Sequence, residues 1–317
     1  MKLNRALALA ALIAVVLVGG RWLPGWAQSL MILALGKGLV VLGLLLLMRC
    51  GLVSFGQGLY YALGAYAAVS MTRIAGLPET LLSSDAVVMP LAGGLVAGVI
   101  AFVLGVLLAA YRGIFFAMLS LAFSMILYGL LIKSSLLGSS DGFNIVFTSA
   151  AGFPLPAGSH LYALFVVTVV LVALALYGTH RFLRSHTGRL GPAIRDNELR
   201  VEYMGASVRR LVHLNYVLAA VLSGIGGGLV ALSIRHIDPD LAYWTTSGEF
   251  VFVAILSGTG NVIAPFLGSL VFEWIKSIAY QYTPYTWQLV LGTAMLLVIM
   301  FLPSGLWSLF TRRRKGA

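Results

Sequence analysis

Apolar runs such as LALGKGLVVLGLLLLM (33–48) and ALFVVTVVLVALALYG (163–178) recur along the whole chain. A helix needs about 20 mostly apolar residues to cross the hydrocarbon core of a bilayer, so runs of this kind decide the class. The residues are 60% hydrophobic and only 10% charged, against roughly 25% charged in soluble domains. So few polar groups could not clothe a soluble fold of this size. The runs are continuous rather than alternating, which excludes a membrane β-barrel. The expected fold is all-α: a polytopic integral membrane protein forming a single transmembrane domain over 1–317.

Ten spans are expected, at about 6–24, 27–48, 51–72, 86–111, 113–132, 160–179, 211–233, 249–262, 264–281 and 286–303. The first resembles a signal peptide but lacks a clear small-residue cleavage site, and is read as a retained span. The net charge of +11 would suggest nucleic acid in a soluble chain. Here it follows from lysine and arginine gathering in cytoplasmic loops. An inside N-terminus puts Lys2, Arg5, Arg49, Arg112, the 180–210 loop and the tail RRRK (312–315) on the cytoplasmic side. Only Arg21, Arg73, Lys133 and Arg235 fall outside, so both termini are expected in the cytoplasm. Two external loops are long, 133–159 and 234–248, and their Gly, Pro, Ser and Asp are turn chemistry.

Glycine is concentrated in GLVSFGQGLYYALGA (51–65), GIGGG (224–228) and SGTGNVIAPFLG (257–268). In membranes glycine lets backbones approach closely, and interrupted helices are tolerated where protein or a water-filled cavity takes up the freed amides. Candidate pathway or helix-break residues are therefore Ser54, Gly56, Gln57, Gly58, Gly258, Gly260, Pro265 and Gly268. Polar groups inside spans are few: Gln28, Lys37, Gln57, Asn215, Glu249, Glu273 and Lys276. Glu273 and Lys276, three apart on one helix, are expected to pair with each other. So few buried acids weaken a proton-coupled mechanism. No P-loop, HExxH or GxSxG motif is present, and the five histidines are scattered. No catalytic, cofactor or metal residues are expected. The single cysteine, Cys50, excludes an intrachain disulfide.

The 180–210 loop concentrates the chain's charge. Pro192 suits a first helical position and Gly205 a left-handed stop, predicting a short helix over 193–204. Such a helix is marginal alone and must lie on lipid headgroups or dock into a partner. The loop's Gly188, Arg189, Ala193, Ile194, Arg195, Asp196, Asn197, Glu198 and Gly205 resemble the coupling loop of LivM-type membrane subunits of bacterial ABC importers for branched-chain amino acids. The segments 51–68, 257–271 and 291–306 are similar to other stretches of that family. Gln57 stands where the family has His, Ala264 where a Gly precedes the Pro, and Asp196 where Glu is usual.

The resemblance implies the ABC importer permease fold and a transport subunit in the bacterial inner membrane rather than an enzyme. It implies alternating-access import of branched-chain or other hydrophobic amino acids. The implied partners are a second homologous permease, two cytoplasmic ATPase subunits holding ATP and Mg, a periplasmic substrate-binding protein and lipid, with no nucleic acid. The alternatives are the same permease fold with urea, short amides or another small solute as cargo, or an ion-coupled secondary transporter.

Overall fold

A computed structural model describes residues 19–75, 85–145, 147, 149–156, 158–301 and 305–308. Most of the predicted first span and the basic tail lie outside the described residues. Helices follow in the order α1 (Gly25–Arg49), α2 (Gln57–Ala75), α3 (Val88–Leu108), α4 (Gly113–Lys133), α5 (His160–Arg184), α6 (His186–Asp196), α7 (Glu198–Tyr203), α8 (Val208–Ile234), α9 (Trp244–Ser257), α10 (Ala264–Tyr282) and α11 (Trp287–Phe301). Each predicted span from the second to the tenth overlaps one of these helices. By length and apolarity α1, α3, α4, α5 and α8 can each cross a membrane. Of the other helices that meet predicted spans, α2, α9, α10 and α11 are shorter or more polar, and the turns at 51–56 and 258–263 set the start of α2, the end of α9 and the start of α10. The expected span at 249–262 is thus corrected: α9 stops at Ser257, where Gly258 takes φ +78°.

α8 is the hub, packed against α1, α2 and α3. Its GIGGG run explains why. A Cβ at Gly227 would strike the carbonyl oxygen of Tyr61 in α2, and one at Gly228 would lie 2.7 Å from Cα of Pro90 in α3. Gly226 faces the backbone of Gly36 in α1 in the same manner. Three neighbours therefore approach α8 at backbone distance, which only the absence of side chains permits. The buried residues of α1, from Leu39 to Leu47, fill the space around this contact.

The turns collect at two ends. At one, Arg49 Nη2 donates to Thr259 O (3.2 Å), Arg112 pairs with Glu198, and Leu306 N donates to Leu256 O (2.8 Å). At the other, β1 (Phe143–Asn144) pairs antiparallel with β4 (His236–Ile237), and β2 (Ser149–Ala150) forms a hairpin with β3 (Phe153–Pro154). From the distribution of basic residues the first set is expected in the cytoplasm and the second outside.

The second end is tied together by Asp85. Its carboxylate accepts from Val87 N and Val88 N at the head of α3, and from Ala151 N and Gly152 N in the hairpin. Burial alone would push the Asp85 carboxyl up, but these four amides hold it below its ordinary value. The loop expected at 234–248 is less superficial than its composition suggests. Ser124, midway along α4, donates to Ala242 O (2.8 Å), so the segment before α9 dips deep into the bundle.

Candidate functional site

The charged loop folds as two helices, not one. Ser185 accepts from Gly188 N (3.2 Å) to cap α6, and Asn197 accepts from Arg200 N (3.0 Å) to cap α7. This corrects the helix expected over 193–204. Pro192 lies inside α6, and the break falls at Asn197, whose side chain supplies the new cap. Gly205 adopts φ +84° and ends α7 as its position implied. Ser207 then caps α8.

Sequence position and burial sort the loop residues into two faces. Ile194 and Val201 are buried with Leu52, Val208 and Leu211, clamping both short helices to the bundle. Gly188 lies against the carbonyl of Phe182, and a Cβ at Gly191 would lie 3.5 Å from Cys50 Sγ. Burial pushes the Cys50 thiol up to about 11, as suits a packed and unreactive residue. Arg189, Arg195, Asp196 and Asn197 face outward, and Ala193 is partly covered. Glu198 binds Arg112 Nε at 2.7 Å, while Arg112 also donates to Ala109 O and Tyr111 O. Three apolar side chains on or just after α7 are exposed: Leu199 (64%), Tyr203 (89%) and Met204 (63%). Charge drew attention to this loop and left these apolar residues unnoticed, although they interrupt its polar run.

Beside α6 an open cleft of about 330 Å³ is lined by Met48, Gly51, Val53, Arg195, Gly258 and Thr259, among others. The structure thus brings Gly258 and Arg195 together. The other predicted helix-break residues lie elsewhere. Gly260 packs on Trp307, Pro265 is buried in the first turn of α10, and Gly268 abuts Ser257. Ser54, Gly56, Gln57 and Gly58 are buried at the head of α2. There Ser54 Oγ accepts from Gly56 N, Ser247 Oγ accepts from Gly58 N, and Gln57 Oε1 accepts from Ser223 Oγ (2.7 Å). Gln57 Nε2 has no partner among the described residues.

The expected Glu273–Lys276 pair does not form. Lys37 Nζ in α1 donates to Glu273 Oε1 (2.7 Å), and Lys276 Nζ donates to both oxygens of Glu249 (2.7 and 3.0 Å). Lys37 also lies 3.5 Å from Glu249 Oε2. Three helices are therefore joined by one alternating chain of charge. Spacing along a single helix could not reveal partners more than two hundred residues apart, such as Lys37 and Glu273.

Membrane-length helices closed on one another through glycine, with a capped helical loop held at one end, are the build of a multi-pass membrane protein. Residues 26–300 match the family described as branched-chain amino acid transport system / permease component, and the chain belongs to that family. It is 27% identical over 301 residues to the high-affinity branched-chain amino acid transport system permease protein LivM of Escherichia coli (strain K12), covering 88% of this chain and 68% of that one. LivM of Salmonella typhimurium is 26% identical over 302 residues, with the same coverage. LivH of Salmonella typhimurium is 23% identical over 172 residues, or 54% of this chain and 51% of its own. No solved structure matches the chain.

Proposed function

We propose that this chain is a membrane-spanning subunit of an ATP-driven importer in the bacterial inner membrane. It receives branched-chain or other hydrophobic amino acids from a periplasmic binding protein and passes them inward by alternating access. A second, similar permease completes the path, and two cytoplasmic ATPases supply ATP hydrolysis. The observation that carries this reading is the pair α6 and α7. A loop that merely linked two spans would need neither buried anchors nor exposed apolar side chains. Ile194 and Val201 fix the pair to the bundle, while Leu199, Tyr203 and Met204 are left open to a partner. Force from a moving ATPase can then reach α4 through Arg112–Glu198 and the cleft beside α1 through Arg195 over Gly51.

The test is a photo-crosslinking side chain at position 203 in the assembled complex. Adducts to the ATPase subunit, altered by ATP, are expected. Adducts to lipid alone would reject the docking role.

A further inference from the structure

The alternating chain Glu273–Lys37–Glu249–Lys276 joins α1, α9 and α10, with Lys37 halfway along α1. Its two ends differ. The Glu273 side chain is only 9% exposed, whereas those of Lys276 and Glu249 retain 17% and 21%. Inside a bundle of membrane-length helices that residual exposure must be to lipid, to a covering partner or to water, and the cost of leaving an ionised group in hydrocarbon disfavours lipid. The open end also has aromatic walls. Lys276 Nζ stands 5.1 Å from the Trp287 ring, and Trp287 stacks on Tyr280 at 4.5 Å and 22°. An ammonium, a carboxylate and flat apolar rings therefore converge at one place. That set is the complement of a zwitterion bearing an apolar side chain.

We propose that the Glu249–Lys276 pair is a transit site for the zwitterionic amino acid, an inference that rests on the amino-acid reading above. The substrate carboxylate takes Lys276 Nζ, its ammonium takes Glu249, and its side chain lies on Trp287 and Tyr280. One internal ion pair is exchanged for two pairs with the substrate, so the net charge of the site stays zero throughout. The inner pair, Lys37 with Glu273, remains closed and holds the frame. Because the protein's own pair competes for the same charges, occupancy is weak enough for the substrate to leave, as conduction requires.

The experiment uses the assembled complex in proteoliposomes with its binding protein. In a Cys50→Ser background, Tyr280→Cys is treated with a charged, membrane-impermeant thiosulfonate, with and without saturating leucine. Labelling that leucine slows is the expected result. No labelling would place this face against lipid or a partner, and labelling indifferent to leucine would remove substrate from the site; either overturns the proposal. Leucine uptake is measured in parallel for Lys276→Met, Glu249→Gln and the double variant. Each should fall roughly tenfold or more, the scale of one lost charge-assisted hydrogen bond. A double variant that recovers wild-type uptake would make the pair a structural tie only. Wild-type ATP-driven uptake in the same vesicles tests the transport reading separately, and the labelling result stands whether or not a variant assembles.

Discussion

At Asp85 one carboxylate organises the second set of turns, and its four amide partners set its pH response. The folded value lies below the unfolded one of about 3.9. Its contribution is therefore present in full above pH ~4 and is lost as pH falls through the folded value. Asp85→Ala should raise amide exchange at Ala151 and Gly152 at neutral pH. It should cost about 1.5–3 kcal/mol, the range for a hydrogen bond to a charged group. The wild type should show the same opening only in acid; equal protection in both proteins at pH 7 would remove Asp85 from this role. Glycines separate as sharply. Gly227 faces the Tyr61 carbonyl, whereas Gly178 has nothing within 4 Å. Gly227→Ala should lower stability by about 1–3 kcal/mol through overpacking, and Gly178→Ala should leave the melting temperature unlowered. A melting temperature lowered equally by both substitutions would contradict the hub geometry.

Among the elements, α6 and α7 carry most of the functional reading. Their existence was legible in the sequence: charge marked the loop, and Gly205 marked its end. Their division at Asn197 was not, because Pro192 suits a helix start better than the interior position it occupies. Only packing of Ile194 and Val201 on the bundle selects between the two. The Arg112–Glu198 bridge, half-exposed, is worth about 0.2–1 kcal/mol, so its removal should hardly unfold the protein. Glu198→Arg should reduce uptake per ATP hydrolysed, and Arg112→Glu added to it should recover part of the loss. An unchanged ratio of uptake to hydrolysis in Glu198→Arg would show that this bridge transmits no force.

For the whole molecule, length and apolarity located most of the helices, and glycine marked 224–228 as a place of close backbone approach, since both signals are local in the chain. The contacts that join distant spans were not legible. Lys37, Glu249, Glu273 and Lys276 could each be singled out as costly in lipid, but their partners depend on how α1, α9 and α10 stand against one another. The same holds for the dip before α9, whose Pro and Asp read as a surface turn while Ser124 draws Ala242 inward. Within this network each carboxylate faces an ammonium, in keeping with the ATP-driven import proposed above. The most direct test is leucine uptake by the complete complex in proteoliposomes, with ionophores abolishing every ion gradient. Uptake that continues with ATP and stops without it is predicted. Uptake driven by an ion gradient in vesicles holding this chain without an ATPase would contradict it.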